Sequence, residues 1–318
     1  MVSAPRLTVL GSLNMDISVT VPRLPAPGAT VLGGAAAFSP GGKGANQAVA
    51  AARLGAVVRM VGCVGDDEFG RLLRAALEAE AVGDDGVRTV PGVPSGLAMI
   101  TVDATGENII TVAPGANREV GEAEIAAIAD LAADVLVISA EVPAAAVRAA
   151  LAVRGETLRV LNLAPSPPEA AVLVAAGVDW LVVNESEAAA VLGRPVAGLA
   201  AAARAAADLA KAGARNAVVT AGAAGAAYRG PREDAAGPDG VLTVPGFRVG
   251  AVDTVGAGDT FVGALAAALA AGVPPRAAVL AAAAAGAAAA TRPGTQAGMP
   301  RPADVLAATG HAWPVPSR

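Results

Sequence analysis

Short runs of β-branched residues alternate along the chain with alanine-rich segments that carry leucine at helical spacing. The apolar runs predict strands at residues 7–10, 57–61, 135–139, 158–163, 180–183 and 217–220. The alanine-rich segments predict helices at residues 44–54, 68–81, 122–132, 144–153, 196–212, 257–271 and 275–290. Alternation at this pitch predicts an α/β protein of three layers, α/β/α, in which helices cover both faces of a mainly parallel sheet.

Two stretches, about residues 14–38 and 96–113, interrupt this alternation because they contain strand and turn residues without a helical pattern. Residues 17–21, 99–102 and 109–112 have the composition of antiparallel ribbons. The two stretches could be independent surface excursions, or they could pair into a small β-sheet. We adopt the second interpretation, in which residues 1–318 form a single domain with a small β lid.

Composition narrows the possible functions. The chain has 318 residues, a net charge of -5, 2% aromatic residues and a mean hydropathy of +0.54. The negative charge and the scarcity of aromatic rings argue against nucleic-acid binding. The longest uncharged stretch, residues 24–42, is broken by three prolines, so no membrane segment is predicted. The single cysteine, Cys63, predicts a reducing, cytoplasmic location, and the single histidine, His311, leaves acid–base chemistry to a carboxylate.

Residues 253–261, Asp-Thr-Val-Gly-Ala-Gly-Asp-Thr-Phe, are the most informative stretch. Their glycines open the helix predicted from 257, where free backbone N–H groups and the helix dipole suit an oxyanion such as phosphate. Asp259 has two interpretations: it caps this helix, or it is a general base that takes a proton from an alcohol in line with a phosphoryl group. The dinucleotide fingerprint and the P-loop pattern are both absent, so phosphate binding follows another plan.

A second glycine-rich turn, Gly-Gly-Lys-Gly-Ala-Asn-Gln at residues 41–47, enters the first predicted helix. Lys43 and Asn46 are three positions apart and project from one side of its first turn. Because a lysine there opposes the helix dipole, hydrogen bonding to a polyhydroxyl ligand explains it better than a structural role. Asn14 and Asp16 are two positions apart on an extended chain, so their side chains lie on the same side and could bind neighbouring hydroxyls. The alternative interpretation of these two residues is an Asx turn.

Polar and small residues follow two of the later strands. Asn184 and Glu187 match a capping box, and Glu187 could also hold hydrated Mg²⁺ at the carboxyl end of a parallel strand. These two roles are compatible. Residues 220–225, Thr-Ala-Gly-Ala-Ala-Gly, form a small-residue turn that could accept a nucleotide.

Four motifs, at residues 11–16, 41–50, 252–261 and 291–296, are similar in content and order to those of the carbohydrate-kinase family that includes fructokinases and adenosine kinase. The resemblance runs from about residue 7 to residue 306. The second motif, with Asn14 and Asp16, is most similar to the members that phosphorylate ribose. The resemblance implies an α/β fold with a β-sheet lid over the sugar, ATP-dependent phosphorylation of D-ribose at O5, and a homodimer formed through the lid sheets.

The resemblance also assigns roles to residues. It places ribose against Asn14, Met15, Asp16, Gly42, Lys43, Gly44, Asn46, Glu141 and Asp259. It makes Asp259 the base and gives the anion hole to the amides of Ala257 and Gly258. It implies that ATP faces Asn184, Thr220, Ala221, Gly222, Gly225, Gly258 and Ala283. It implies that Glu187 acts on Mg²⁺ through water, and that K⁺ is bound near Asp253, Val255, Ala289, Arg292, Gly294 and Gly298.

Two positions depart from the family pattern. Ala283 stands where members often have His or Asn beside the adenine, and Gly298 stands where the potassium loop usually ends with Ser. Two alternative functions stay open: the same chemistry on a nucleoside or another sugar, and a non-catalytic sugar-binding protein. An intact Asp259 favours catalysis, because a protein that only binds sugar needs no base.

Overall fold

The computed structural model describes residues 4–130, 132–153, 155–231 and 240–315. Its larger sheet contains β1 (Arg6–Leu10), β4 (Val57–Gly65), β5 (Gly83–Val90), β8 (Val135–Ser139), β9 (Leu158–Asn162), β10 (Val178–Asn184), β11 (Ala214–Thr220), β12 (Gly225–Arg229) and β13 (Val241–Pro245). Its smaller sheet contains β2 (Asn14–Val21), β3 (Ala37–Gly41), β6 (Gly96–Asp103) and β7 (Asn108–Ala113). The helices are α1 (Lys43–Arg53), α2 (Glu68–Ala79), α3 (Glu122–Asp130), α4 (Ala144–Ala152), α5 (Ala170–Ala175), α6 (Glu185–Leu192), α7 (Leu199–Ala212), α8 (Ala257–Ala270), α9 (Pro275–Ala289), α10 (Thr295–Gly298) and α11 (Pro302–Thr309).

The strands of the larger sheet lie in the order β13-β12-β11-β10-β9-β8-β1-β4-β5. From β11 to β5 the neighbours run parallel, and β12 and β13 add an antiparallel edge. One face of the sheet packs with α1, α2, α8 and α9, and the other packs with α4, α5 and α7. The predicted three-layer α/β/α architecture is confirmed.

Successive residues of a strand in the larger sheet belong alternately to two hydrophobic cores, one on each face. In β1, Leu7 and Val9 belong to one core and Leu10 to the other, because successive strand residues point to opposite faces. On the first face, small residues let the helices approach closely, and Gly263 of α8 lies directly against α1. An added Cβ at Gly263 would stand 2.5 Å from the carbonyl oxygen of Gln47. The first turns of α1 and α8 are therefore held in a fixed relation.

The smaller sheet is the predicted lid. β2 pairs with β3, and β6 pairs with β7, both in antiparallel fashion, so each interrupted stretch of sequence forms a ribbon. β2 and β6 then pair in parallel, from Asn14 opposite Gly96 to Val21 opposite Asp103. The two stretches form one sheet, and the interpretation as independent excursions is wrong. β3 continues to Gly41, three residues beyond the predicted stretch.

The hydrophobic pattern does not predict β5, β12, β13, α5, α6 or α11. Edge strands such as β5 carry charged residues and expose part of their length, which obscures the apolar signal. α7 begins at Leu199 and not at 196, because Gly198 adopts φ 75° at the N-cap. The predicted end of α3 at 132 includes Leu131, which lies outside the described residues. Among the helices described, none combines the length and the apolar character that crossing a bilayer requires.

Candidate active site

The residues predicted to bind sugar lie where β1, β2 and α1 meet. After β1 the chain turns through residues 11–13 into β2, which carries Asn14 and Asp16. Gly42 precedes α1 with φ 89°, and an added Cβ there would stand 2.7 Å from the backbone nitrogen of Asn14. Glycine alone fits this close approach. It brings Lys43, at the start of α1, next to the start of β2.

Glu141, which follows β8, connects these two elements. Its Oε2 accepts hydrogen bonds from Nδ2 of Asn14 at 3.4 Å, from the backbone N–H of Lys43 at 3.2 Å and from the hydroxyl of Ser12. Oδ1 of Asn14 accepts a hydrogen bond from Nδ2 of Asn117 at 2.8 Å. The hydrogen bonds of the Asn14 side chain thus reach distant parts of the chain, which does not support the Asx-turn alternative.

Lys43 stands among four carboxylates. The negative charge of Asp259 contributes most to raising the pKa of Lys43, and Glu141, Glu187 and Asp16 add to it while burial opposes it. The ammonium group therefore stays protonated and offsets part of the negative charge of this cluster. An ammonium group can donate to sugar hydroxyls and can also face a phosphate.

Two of these carboxyl groups, Asp16 and Glu187, are hard to ionise. Burial raises the pKa of Asp16 from 3.8 to about 7; the charges of Glu141 and Asp259 add to the effect and Lys43 opposes it. The pKa of Glu187 is also raised, mainly by burial. Hydroxyl donors or a cation stabilise carboxylates held in this way. The electrostatics therefore favour a polyhydroxyl ligand at Asp16 and a cation near Glu187.

Asp259 lies in the first turn of α8 and does not cap that helix. The N-cap residue is Gly256, with φ 79°, and it is not joined by a side-chain cap hydrogen bond. Asp259 instead accepts hydrogen bonds at Oδ2 from Nδ2 of Asn46 and at Oδ1 from Nε2 of Gln47, both at 3.0 Å. The capping interpretation is therefore wrong. Both oxygens are thus held by amides of α1, and the charge of this carboxylate acts on Lys43.

The same turn of α8 contains the two residues predicted to form the anion hole. Gly258 is exposed, and open space surrounds the position that a Cβ would take. Its N–H is among those that an α-helix leaves without an intrahelical acceptor. The N–H of Ala257 donates to the carbonyl oxygen of Thr254 at 3.3 Å. Gly258 thus fits a phosphate as it stands, whereas Ala257 has to leave its contact with Thr254 first.

The residues predicted to face the nucleotide follow β10 and β11. Asn184 and Thr220 lie opposite each other where these parallel strands end. The predicted capping box is present: Oδ1 of Asn184 accepts from the N–H of Glu187 at 2.9 Å, and Oε2 of Glu187 accepts from the N–H of Asn184 at 2.8 Å. Residues 222–224 form a short, exposed 3-10 turn. Ala283 is partly buried on α9, which packs against β12 and β13.

Asp253 joins the two loops predicted to bind potassium. Its Oδ1 accepts from the N–H of Val255 at 3.0 Å, and its Oδ2 accepts from the N–H of Gly294 at 2.9 Å. The guanidinium group of Arg292 is bound to Asp304, with one contact at 3.0 Å, so only its backbone is left for a cation. The two loops are thereby held together beside the start of α8.

A cavity of about 530 Å³ lies between the lid and the larger sheet. Asn14 and Glu141 contribute to its wall, and so does Val112 of β7. Asp16 is opposite Ala98 in the lid, and Ala98 is opposite Val112, so these three share one face of the sheet. The lid therefore places small and apolar side chains beside the residues predicted to bind sugar.

Five polar residues of the site receive no role from the sequence: Ser12, Gln47, Asn117, Asn162 and Gln296. Gln47 and Gln296 stand inside two of the motifs, and Ser12 and Asn162 lie where parallel strands end, which is itself a signal for ligand binding. Asn117 lies in a 3-10 helix after the lid and has no comparable signal.

The α/β body, the lid and the carboxylate at a glycine-rich helix start define an enzyme class, the phosphotransferases that act on sugars. A family model described as pfkB family carbohydrate kinase matches residues 4–302. The chain belongs to this family.

Individual relatives agree with this assignment. The chain is 38% identical over 273 residues to ribokinase of Bacillus subtilis, covering 84% of this chain and 86% of that protein. It is 36% identical over 264 residues to deoxyribokinase of Salmonella typhi, covering 82% and 84%. The structure of Arabidopsis thaliana ribokinase complexed with ribose and ATP matches with TM-score 0.82 and 29% identity, covering 96% and 98%. Phosphofructokinase-2 of Escherichia coli in complex with potassium, 24% identical with TM-score 0.76, covers 98% and 99% and shares the fold.

Proposed function

We propose that the protein transfers the γ-phosphoryl group of ATP to O5 of D-ribose, giving D-ribose 5-phosphate and ADP. One observation carries this proposal: residues suited to bind a sugar lie close to a residue suited to act as a base. Asp16 and Lys43, which suit a sugar, belong to the same electrostatic cluster as Asp259 in the first turn of α8. Relatives named ribokinase, and the ribose and ATP named for the Arabidopsis thaliana structure, support this acceptor and this donor.

The sugar side of the site orients the acceptor. Asn14 and Asp16 bind neighbouring hydroxyls, and the ammonium group of Lys43 adds a third contact. Glu141 positions both elements, because it accepts a hydrogen bond from the side chain of Asn14 at 3.4 Å and one from the backbone N–H of Lys43 at 3.2 Å. With the ring fixed in this way, O5 is directed at Asp259. Such positioning supplies much of the acceleration in phosphoryl transfer, where the protein does little covalent chemistry.

Asp259 acts as the general base. O5 of ribose bonds to the γ-phosphorus while the bond from that phosphorus to the bridging oxygen of ADP breaks, and ADP leaves with the electron pair. The O5 proton passes to the carboxylate of Asp259. The N–H of Gly258, joined by that of Ala257 once it leaves Thr254, donates to the charge on the transferring group. Lys43 adds positive charge beside the reacting atoms.

Magnesium accompanies ATP, and the residues around Glu187 fit that ion. Within the described ranges no three histidine, cysteine, aspartate or glutamate residues group into a metal site. Mg²⁺ keeps several waters and takes one or two protein carboxylates together with phosphates, so a single carboxylate acting through water is sufficient. When bound, Mg²⁺ neutralises charge on the phosphates. Asn184 and the turn after Thr220 face the nucleotide.

The loops beside α8 fit a potassium ion. The carbonyl oxygens of Arg292 and Ala289 lie close to Gly298, where an added Cβ would stand 3.1 and 3.5 Å from them. Carbonyl oxygens are the groups that replace the hydration shell of K⁺ in proteins. Gly298 itself contributes no side chain to this place. A cation bound here would fix both loops that Asp253 connects and, through them, the start of α8.

The first experiment measures ADP release by the purified protein with Mg-ATP. D-ribose, 2-deoxyribose, fructose, fructose 6-phosphate, adenosine and cytidine are offered in turn, each with sodium or with potassium. We expect turnover with D-ribose, raised by potassium. Preference for 2-deoxyribose would place the chain with its deoxyribokinase relatives. Turnover with a nucleoside alone would keep the mechanism and replace the acceptor.

Asp259→Asn tests the base. The variant should lower kcat by at least about 100-fold, the usual scale for a general base, and keep the melting temperature and the affinity for D-ribose. Asp85→Asn is the matched control, because Asp85 is 58% exposed and pairs with Arg59 away from the site. Near-normal turnover by Asp259→Asn would contradict the assignment. Ribose binding without turnover by the wild-type protein would support the non-catalytic alternative.

A further inference from the structure

Gln47 is a polar residue of α1 that is fully buried, with 0% of its surface exposed. Its Nε2 donates two hydrogen bonds, to Oδ1 of Asp259 at 3.0 Å and to Oδ1 of Asn162 at 2.8 Å. Its Oε1 has no hydrogen-bond partner within the described part of the chain. A buried acceptor without a donor costs free energy, so the presence of an amide here needs a physical reason.

The neighbours of this amide fix its orientation. Asp259 presents a carboxylate oxygen, and Asn162 presents its Oδ1, because its own Nδ2 donates to the carbonyl oxygen of Val182 at 3.2 Å. A flipped Gln47 amide would place Oε1 against two acceptors and lose both hydrogen bonds. Nε2 of Gln47 therefore has to point at Asp259 and Asn162. Because this orientation is fixed, Oε1 points to a place where it has no hydrogen-bond donor among the described residues.

Gln47 differs from Asn46, its neighbour in the sequence, in what it can reach. Asn46 donates to Oδ2 of Asp259, and its Oδ1 accepts from Nε2 of Gln296 at 3.0 Å, so its amide orientation is fixed as well. Asn46 is also a predicted sugar ligand. Gln47 is closed off from the sugar side by its complete burial. Gln47 can therefore affect a reaction only through the residues that it contacts, of which Asp259 is the predicted base.

We propose that Gln47 is a positioning residue for the catalytic carboxylate: Nε2, itself anchored on Asn162, holds Oδ1 of Asp259 so that the carboxylate keeps one orientation while the sugar hydroxyl gives up its proton. This role rests on the proposed phosphoryl transfer to a sugar. Together with Asn46, it leaves Asp259 no freedom to rotate away from the acceptor. Placement of this kind matters because a displacement of about 1 Å can cost about 100-fold in rate.

Gln47→Leu is the variant that tests the role. Leucine has a similar volume, and it removes both the donor and the unpartnered oxygen. We expect kcat with D-ribose to fall about 10- to 100-fold, with KM and the dissociation constant for D-ribose within about twofold of wild type. Val49→Ala, at another fully buried position of α1, is the matched control. It should lower the melting temperature and leave kcat unchanged.

A double-mutant cycle separates positioning from general damage to α1. In an Asp259→Asn background no base is left to orient, so Gln47→Leu should leave the residual turnover unchanged. A merely structural role would lower the residual turnover by the same factor as in the wild-type background. If Gln47→Leu gives no folded protein, Gln47→Met takes its place in both arms, because the flexible methionine fills the same space.

The outcomes distinguish this role from the function on which it rests. Suppose that the wild-type protein turns over D-ribose. If Gln47→Leu then leaves kcat unchanged, or lowers turnover equally in the wild-type and Asp259→Asn backgrounds, the proposed role of Gln47 is wrong and the proposed function still holds. Absence of wild-type turnover with every acceptor overturns the proposed function and the role of Gln47 with it. A selective loss of kcat that disappears in the Asp259→Asn background supports both.

Discussion

Asp16 is held where its carboxyl group ionises poorly. Its pKa, 3.8 in an ordinary environment, is raised to about 7, first by burial and then by the charges of Glu141 and Asp259. As the pH rises from about 4 to about 7, the unfolded chain releases this proton and the folded protein keeps it. The contribution of this group to stability is therefore complete below pH 4 and is lost as the pH rises through 7.

Asp16→Asn should remove this pH dependence. We expect the free energy of unfolding of the variant, relative to wild type, to increase by about 1–2 kcal/mol between pH 5 and pH 8, less than the full shift in pKa would give because Asp16 is partly exposed. Urea unfolding of both proteins at the two pH values measures the difference, in which other titrating groups cancel. The same difference at both pH values would contradict the raised pKa.

Residues in glycine-rich helix starts are predictable from the sequence, and their partners are not. Lys43, Asn46 and Asp259 give a local signal, because the N-terminus of a helix has its own chemistry. The bond from Asn46 to Asp259, however, spans 213 positions of the chain. Gln47 reaches Asp259 through a bond of its own that spans 212 positions. Glu141 is assigned only by the family resemblance.

The packing of α1 against α8 places the two first turns of the site side by side. At the contact, an added Cβ at Gly263 would stand 2.5 Å from the carbonyl oxygen of Gln47 and 2.8 Å from Cβ of Ala50. Neither neighbour is a flexible side-chain end, so a larger residue has to push the helices apart. The contact that gives Asp259 its hydrogen bonds therefore depends on one glycine seven helical residues into α8.

Gly263→Ala tests this dependence. We expect a loss of about 1–3 kcal/mol in the free energy of unfolding, as for other overpacked cores, and a lower kcat because Asn46 and Gln47 hold Asp259 across the widened contact. Thermal melts and the ADP-release assay measure both quantities. Gly250→Ala, which adds the same methyl group in open space, should change neither. Full stability of Gly263→Ala would show that the helices separate without cost.

Elements are predictable where the apolar pattern is continuous. Val135–Ser139 is buried at every position, as expected for a parallel strand between two helical layers. Gly225–Arg229 is equally regular but reads Gly-Ala-Ala-Tyr-Arg, and alanine carries little strand preference. The ribbons of the lid are visible as local patterns. Their parallel pairing is not, because nothing in either stretch specifies the other.

The molecule as a whole leaves one sheet partly uncovered. Helices cover the larger sheet on both faces, whereas in the lid Phe38 is 61%, Ile109 48% and Met99 46% exposed. Ile17 lies opposite both Phe38 and Met99, so these side chains share a face. Ile109 lies opposite Thr101, two residues after Met99, and belongs to the same face. Exposed apolar surface of this kind marks an interface, and a second copy of the chain is the partner we predict.

Ile109→Glu tests the predicted homodimer. Light scattering should give wild-type protein twice the 30.6 kDa mass of one chain and the variant the mass of one chain, because a buried charge would destabilise the interface. Ile109→Val keeps the apolar surface and should leave the dimer intact. A wild-type protein with the mass of one chain would contradict the prediction.

The parallel pairing of β2 with β6 has a consequence during protein synthesis. It joins Asn14 to Gly96, 82 positions later in the chain. A ribosome adds about 5–20 residues per second, so β2 is complete roughly 4–16 s before its parallel partner exists. β3, which ends at Gly41, protects only one edge of β2 in that interval. Until residue 96 is made, the half-built lid offers an open strand edge to other nascent chains, and the demand for chaperones should be greatest in that window.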